Sequence, residues 1–314
     1  MPDSPGTIAV RRRLRDSGVE TLTYDSAAAI PPADVYVVST WAPPSMKRLT
    51  GALAGPVYAL LHDQVEIFYP WGLNYLYRAG YRLLQAPLLR RVERVITVSD
   101  WARRWLQDVH GIKDVYAIHN GVDGERFHPA DGSVKAELKK SFGLEGFVAL
   151  LPSRFALEKN QLAALLAVRG LQGVTLALAG GGPLYGSIKR LAEVLRVKNA
   201  VFLGRVADMP RLYQAADLLF FPTLGENQSL AVLEAMASGL PVISSPIPAQ
   251  KELIDDGVEG WLVAPRPGAL AAALRRALAD PRQLAEMGDR ARRRVEKEHT
   301  LDRTARELAR VLQS

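Results

Sequence analysis

Residues 221–243 read FPTLGENQSLAVLEAMASGLPVI. The order of apolar and polar residues predicts a strand, a polar loop, a helix that stops at Gly239, and a second strand. Strands that alternate with helices in this way belong to a parallel sheet covered by helices. The predicted helix begins near residues 228–230, and the backbone N–H groups at a helix N-terminus attract anions. The stretch therefore predicts an α/β fold with an anion-binding loop.

The same alternation extends along the whole chain. Strands are predicted at residues 35–39, 57–62, 94–98, 115–119, 147–151, 175–179, 201–203, 218–221, 242–244 and 260–263. Turn-forming residues at 120–123 and 127–132 separate the two runs of strands. We therefore predict two Rossmann-like domains facing a cleft: residues 1–122, residues 123–290, and a C-terminal helix over 291–314 that crosses back to the first domain.

Composition excludes several classes of protein. The 314 residues contain no cysteine, which rules out disulfides and thiol catalysis, and the five histidines show no metal-binding spacing. No apolar run approaches the roughly 20 residues of a membrane span, and residues 1–4 do not resemble a signal peptide, so we expect a cytoplasmic protein. The net charge of +7 favours a polyanionic partner. Much of the excess positive charge lies in residues 78–94 and in residues 275–310. The arginine-rich pattern of the second range is typical of helix faces in contact with water.

Two carboxylates stand out in the opening stretch. Glu226 lies in the polar loop and Glu234 lies in the helix. A loop carboxylate can accept hydrogen bonds from sugar hydroxyls, and a helix carboxylate can bind a vicinal diol such as a ribose. The alternative is a capping glutamate followed by a surface glutamate. Against it, Glu234 is one polar residue in the apolar run LEAMA, where a charge needs a partner.

The spacing of these two residues, within a Glu-Ala-Met-Ala-x-Gly-x-Pro-Val context, resembles the family-four retaining glycosyltransferases of GT-B fold, related to glycogen synthase. The resemblance implies an enzyme that moves a hexose from a UDP- or GDP-linked sugar to a hydroxyl acceptor with retention. It implies a catalytic role for Glu226. It implies donor binding by Glu234 and by the loop and helix start at Asn227, Gln228, Ser229 and Leu230.

Three further segments are similar to motifs of that family. Residues 152–160 read PSRFALEKN, similar to a Gly-Arg…Glu-Lys-Gly loop whose cations, here Arg154 and Lys159, hold the donor diphosphate. Two fixed cations beside a helix N-terminus can stabilise a departing diphosphate. Residues 180–183 resemble a Gly-x-Gly-Pro turn in which Gly182 lines the donor cleft. Residues 202–206 resemble the base-binding segment, with Arg205 and Val206 meeting the nucleobase. Taken alone, each has an ordinary reading as surface residues, a tight turn or a strand end.

The first half of the chain supplies the acceptor side in this resemblance. His62, followed by Asp63, ends a predicted strand and could donate a hydrogen bond to a sugar hydroxyl or to the leaving phosphate. The family usually begins with a strand and a Gly-Gly loop, whereas this chain shows only Pro5-Gly6-Thr7 before a helical pattern over 8–17. Either those three residues are a reduced loop or the first strand is missing. This departure leaves open a non-catalytic sugar-nucleotide-binding scaffold subunit.

Residues 68–94 mix aromatic residues, in FYPWGLNYLY at 68–77, with arginines. That mixture suits a membrane interface and would fit a lipid-linked acceptor. The alternative, slightly favoured, is an amphipathic helix that packs leucine and tyrosine inward and arginine outward. The partners expected are therefore a nucleoside-diphosphate sugar, an unidentified acceptor and a peripheral contact at the inner membrane face. No motif supports a nucleic acid. No Asp-x-Asp occurs, so neither a metal nor a cofactor is expected.

Overall fold

The computed structural model describes residues 5–22, 30, 32–39, 53, 55–62, 66–68 and 74–314. Within these residues the chain forms two compact units. The first unit comprises Met1–Gly121, Glu226–Gln228 and His299–Ser314, and the second comprises Val122–Gly225 and Ser229–Glu298. Two short segments from much later in the sequence, Glu226–Gln228 and His299–Ser314, therefore complete the first unit.

A parallel sheet of order β1-β2-β3-β4 forms the centre of the first unit. Its strands are β1 (Tyr36–Ser39), β2 (Val57–Leu61), β3 (Arg94–Thr97) and β4 (Val115–Ala117). Its helices are α1 (Pro5–Asp16), α2 (Asn74–Leu84), α3 (Ala86–Leu89), α4 (Asp100–His110) and the last helix of the chain, α13 (Leu301–Gln313). Ser99 caps the start of helix α4, because its hydroxyl accepts a hydrogen bond from the Ala102 N–H.

The two faces of this sheet are covered by different helices. Ala59 and Leu61 of β2 face the cluster that contains Trp105 and Leu106 of α4. Tyr58 of β2 and Ile96 of β3 face the opposite way, against a cluster completed by Leu308, Val311 and Leu312 of α13. Because side chains alternate between the two faces along each strand, α4 is needed to bury one face of the sheet and α13 is needed to bury the other.

The second unit contains a six-stranded parallel sheet of order β10-β9-β8-β5-β6-β7. The strands are β5 (Phe147–Pro152), β6 (Val174–Ala179), β7 (Ala200–Gly204), β8 (Leu218–Phe221), β9 (Val242–Ser244) and β10 (Gly260–Leu262). The helices are α5 (Gly132–Ser141), α6 (Gln161–Val168), α7 (Tyr185–Val194), α8 (Met209–Ala215), α9 (Leu230–Ala237), α10 (Pro248–Lys251), α11 (Pro267–Ala279) and α12 (Pro281–Glu298). The strand order reverses between β5 and β8, which is where ligands bind in open parallel sheets.

Both faces of this sheet are buried. Val148 and Leu150 of β5 belong to one core cluster, and Ala149 and Leu151 belong to the other. Because both faces are covered, the strand reads as a continuous apolar run rather than an alternating one.

The predicted α/β class with two Rossmann-like domains is confirmed, since both sheets are parallel and alternate with helices. The last helix packs on the first sheet, as predicted, but it begins at Leu301 rather than at 291. Residues 5–7 are the first turn of α1, so the expectation of a reduced glycine loop there is wrong. Helix α5 is not predicted, because its short, lysine-rich sequence follows directly on the turn residues. Some predicted features lie outside the described residues: Asp63, residues 1–4 and residues 69–73.

Within the described ranges, no helix has the length and apolar character needed to cross a membrane.

Candidate functional site

The loop that follows β5 is fastened to the loop that follows β6. The N–H of Ser153 donates to the carbonyl of Ala179 (2.9 Å), and the N–H of Phe155 donates to the carbonyl of Gly181 (2.9 Å). Phe155 is buried against Tyr185 and Phe202, with ring centroids 4.9 and 6.1 Å away. Because the residues on both sides are anchored, the exposed side chain of Arg154 projects from a fixed position.

Glycine makes this close approach of the two loops feasible. Gly180 and Gly182 have φ of +133° and +149°, which L side chains rarely adopt. A Cβ atom at Gly182 would lie 2.6 Å from the carbonyl oxygen of Phe155 and 3.0 Å from Cγ of Arg154. A Cβ at Gly181 would lie 3.0 Å from Nε of Arg205. The structure thus brings Arg154, Gly182 and Arg205 together at one edge of the sheet. Helix α7 begins at Tyr185, two residues after Pro183.

Lys159 ends a short 3₁₀ turn, Leu157–Lys159, in the same loop. Its ammonium nitrogen lies 5.7 Å from the ring centroid of Phe221, the last residue of β8. The carbonyl of Glu158 accepts hydrogen bonds from the Leu224 N–H (2.6 Å) and the Thr223 hydroxyl (3.2 Å). The turn is therefore fixed to the loop after β8, and Lys159 and Arg154 both lie where β5 and β8 end.

Glu158 and Arg154 form an ion pair one helical turn apart in sequence. A terminal guanidinium nitrogen of Arg154 lies 3.2 Å from Oε1 of Glu158. The carboxylate is buried while the arginine is exposed. Sequence reasoning missed Glu158, because a spacing of four residues indicates a contact on an α-helix and this segment is a loop with a 3₁₀ turn.

Glu234 is held by the neighbouring helix α8. The hydroxyl of Tyr213, which is completely buried, donates a 2.9 Å hydrogen bond to Oε2 of Glu234. Burial raises the pKa of Glu234 to about 7, against the opposing effects of the Tyr213 hydrogen bond and the charge of Arg126. Glu234 therefore has the partner that its apolar surroundings require. Sequence reasoning missed Tyr213, whose place in a buried helix already indicates a partner for its hydroxyl.

Helix α9, which carries Glu234, begins as predicted. Its N-cap is Ser229, whose hydroxyl accepts a hydrogen bond from the Val232 N–H (3.4 Å), and Leu230 at the first helical position is half exposed. Val206, which follows Arg205 after β7, packs on the core at half-buried depth.

Glu226, Asn227 and Gln228 belong to the first unit. The amide of Asn227 donates to the carbonyl of Leu61 (3.2 Å) and to the hydroxyl of Thr97 (3.1 Å), and accepts from the hydroxyl of Ser99 (2.6 Å). One backbone carbonyl at the end of β2 and two side chains at or just after the end of β3 are thus joined to one buried asparagine. The Asn227 side chain makes these hydrogen bonds within the first unit, so its binding of the nucleotide-sugar donor stays a prediction.

Two more predicted residues lie near this segment. The side chain of Gln228 accepts a 2.5 Å hydrogen bond from the Asn120 N–H. His62 directly follows Leu61 at the end of β2, with an exposed side chain. His62 and Glu226 therefore flank the two residues, Leu61 and Asn227, that bond to each other. Their catalytic roles stay predictions.

The described residues contain no group of three or more histidine, aspartate or glutamate side chains that could hold a metal ion. The charged groups where the strands of the second sheet end include the cations Arg154, Lys159 and Arg205, of which Arg154 is paired with the buried Glu158. Their arrangement suits an anionic ligand.

Two family descriptions match the chain, one in each half. Residues 9–126 match "Glycosyltransferase Family 4", and residues 146–280 match "Glycosyl transferases group 1". The chain belongs to the family-four-like glycosyltransferases of GT-B fold.

The relatives of this chain include mannosyltransferases. It is 32% identical over 179 residues to the GDP-mannose-dependent alpha-mannosyltransferase of Corynebacterium glutamicum, covering 54% of this chain and 40% of the relative. It is 31% identical over 249 residues to the phosphatidyl-myo-inositol mannosyltransferase of Mycobacterium tuberculosis, covering 76% of this chain and 60% of the relative. The family-four chain thus spans less than two thirds of the length of either relative.

Among solved structures, the family-four chain is similar to Anabaena HepE in complex with UDP and glucose. The TM-score is 0.77 at 22% identity, over 88% of this chain and 77% of HepE. At this identity the similarity shows the fold.

Proposed function

We propose that the chain transfers a hexose from a nucleoside-diphosphate sugar to a hydroxyl group with retention of configuration. The observation that carries the proposal is the placement of Arg154, Lys159 and Arg205 on interlocked loops at the carboxyl ends of β5 to β8. Cations held at the carboxyl ends of the strands of a parallel sheet can bind the negative charges of a diphosphate.

The chemical step requires stabilisation of the leaving diphosphate. The bond between the anomeric carbon and the phosphate oxygen breaks, and the acceptor oxygen bonds to the same face of the sugar. The proton of the acceptor hydroxyl passes to the departing phosphate. Arg154 and Lys159 offset the negative charge that develops on that phosphate, and no metal is required for this role.

The donor is a hexose linked to GDP or UDP. The name of the Corynebacterium relative supports GDP-mannose, whereas the likeness to HepE is one of fold. Glu234 would accept hydrogen bonds from the ribose hydroxyls, and Glu226 and His62 would contact the transferred sugar. The acceptor we propose is a lipid-linked hydroxyl, supported by the name of the Mycobacterium relative.

The test uses the full chain, GDP-mannose and UDP-glucose, and phosphatidylinositol as the first acceptor, with release of nucleoside diphosphate as the readout. Arg154→Ala and Lys159→Ala should each lower turnover by about 10²–10³-fold, the usual effect of losing one charge-stabilising donor. Arg211→Ala and Lys198→Ala remove exposed cations elsewhere in the second unit and should leave turnover unchanged.

Other outcomes separate this proposal from the scaffold alternative. Stabilisation of the wild-type fold by GDP or UDP without any release would favour a non-catalytic binder. Turnover in Arg154→Ala or Lys159→Ala close to that of the wild type would contradict the proposed roles. Loss of turnover on adding EDTA would contradict metal independence.

A further inference from the structure

Helix α2 exposes several large apolar side chains to solvent. Tyr75, Leu76, Leu83 and Leu84 are between 66% and 77% exposed. An α-helix turns by 100° per residue, which places Tyr75, Leu76 and Leu83 within about 100° of one another on one face. A row of exposed leucines on one helix face is unusual for a surface in contact with water.

The opposite face of α2 already supplies the contacts that hold the helix on its unit. Tyr81 is buried against Trp105 and His110, with ring centroids 4.9 and 5.0 Å away, and Tyr77 packs on the same core. The favoured expectation from the sequence was that leucine and tyrosine both pack inward. It holds for Tyr77 and Tyr81 and is wrong for Tyr75, Leu76, Leu83 and Leu84.

Positive charge accompanies the apolar face. Residues 67–92 contain four arginines and no acidic residue. Arg78 is paired with the buried carboxylate of Glu66. Arg82, Arg90 and Arg91 are exposed, and Arg90 also donates a 2.6 Å hydrogen bond to the carbonyl of His110. Burial lowers the pKa of His110, and the charges of Arg82, Arg90 and Arg78 lower it further, so these three guanidinium groups lie near the end of α4.

We propose that this surface, the α2 patch of Tyr75, Leu76 and Leu83 with Arg82, Arg90 and Arg91, docks the chain on an anionic lipid bilayer. Apolar side chains would enter the boundary between headgroups and acyl chains, and the arginines would meet the lipid phosphates. An apolar stripe flanked by cations matches that surface in both chemistry and charge. A second copy of the chain would instead bring the same cations against one another.

The inference deepens the proposed function, because a lipid-linked acceptor would be reached from such a surface. Its test measures binding rather than transfer, so the two proposals fail separately. A chain without transferase activity could still dock, and an active transferase could fail to bind vesicles.

The experiment is co-sedimentation of the full chain with vesicles of equal parts phosphatidylcholine and phosphatidylglycerol, and with vesicles of phosphatidylcholine alone. The wild type should bind the anionic vesicles, more weakly as salt is added. The Leu76→Gln/Leu83→Gln variant should bind them at least about tenfold more weakly, because two apolar side chains no longer leave water. Arg82→Gln/Arg91→Gln should bind roughly 10–30-fold more weakly, at about 1 kcal/mol per arginine near an anionic surface.

Matched controls are Val194→Gln, which replaces an apolar residue 72% exposed on α7, and Arg282→Gln, which replaces an exposed arginine on α12. Both should bind as the wild type does, and circular dichroism checks that all variants are folded. Three results would overturn the proposal: no binding by the wild type, undiminished binding by the leucine variant, or equal binding to both kinds of vesicle. Self-association of the wild type that the leucine variant loses, without vesicle binding, would assign the patch to a second copy of the chain.

Discussion

The carboxyl group of Glu234 lies in surroundings that make its ionisation costly. Burial raises its pKa from 4.5 to about 7, and the hydrogen bond from Tyr213 and the charge of Arg126 offset only part of that effect. At neutral pH the group is therefore partly protonated. A ligand whose hydroxyl groups donate hydrogen bonds to this carboxyl group would favour its ionised form.

This residue leads to a prediction about pH and stability. Because the pKa is higher in the folded state than in the unfolded one, the folded state binds more protons between pH 4.5 and 7, so the wild type loses stability as pH rises through that window. Glu234→Gln keeps an oxygen that can accept from Tyr213 but does not ionise. The variant should match the wild type near pH 4.5 and be more stable by about 2–3 kcal/mol at pH 8.

Urea denaturation of both proteins from pH 4.5 to 8 measures this difference. Glu226→Gln serves as the matched control, because it changes the same chemical group in the first unit. A stability difference between Glu234→Gln and the wild type that stays constant with pH would show that Glu234 ionises as readily in the folded chain as in water.

At the scale of elements, close contact between two backbone segments explains why a glycine occupies position 121, the last residue before the chain enters the second unit. The Asn120-Gly121 turn lies directly against the start of α13, and a Cβ atom at Gly121 would overlap the carbonyl of Thr300 and lie 2.6 Å from the N–H nitrogen of Leu301. The hydroxyl of Thr304 also donates to the carbonyl of His119 (2.8 Å). Glycine is needed here for space.

Gly121→Ala should therefore destabilise the chain by about 1–3 kcal/mol, as overpacking commonly does. Gly124→Ala is the matched control three residues later, since a Cβ there would meet nothing within 4 Å. That change should alter stability by no more than about 1 kcal/mol in either direction. Thermal unfolding of the two variants makes the comparison, and equal midpoints would mean that the turn and α13 separate without cost.

Local pattern explains what could be predicted among the elements. The strands of both sheets and the helix α9 follow from apolar runs bounded by turn residues, because such runs must be buried wherever they lie. Helix α5 buries only Leu138 and is fixed instead by ion pairs from Lys135 and Lys139 to Asp217, 2.7 and 2.6 Å long. Those contacts join residues about eighty positions apart, which no local pattern reveals.

In the candidate site, too, some residues could be predicted from local sequence, whereas contacts between residues far apart in the chain could not. Residue type and position at strand ends indicate Arg154, Lys159 and Gly182 from the sequence. The grouping of Asn227 with Leu61 and Thr97 depends on hydrogen bonds across 166 and 130 residues of chain. The hydroxyl of Tyr213 likewise reaches Glu234 from a different helix. Sequence therefore identifies charged residues on loops better than the partners that hold them.

At the scale of the whole molecule, the end of the chain completes the unit that its beginning forms. Helix α13 covers Tyr58, Ile96 and Ile118, and Arg94 donates a 2.8 Å hydrogen bond to the carbonyl of Val311. Helix α1 also packs along α13, with an ion pair between Arg13 and Asp302. The first unit is consequently stabilised by residues that follow the entire second unit.

Removal of residues 300–314 should expose one face of the first sheet while leaving the second sheet intact. Loss of several buried apolar side chains, each contributing about 1.5–3 kcal/mol when fully buried, is enough to unfold a unit of ordinary stability. Hydrogen exchange should then accelerate in peptides that cover β2 and β3 and stay slow in those that cover β5 and β6. Leu308→Gln should produce a smaller effect of the same kind, and Arg306→Gln, an exposed position on the same helix, should produce none. If exchange accelerated equally in both sheets, the two units would unfold together, and α13 would stabilise the whole chain rather than the first unit alone.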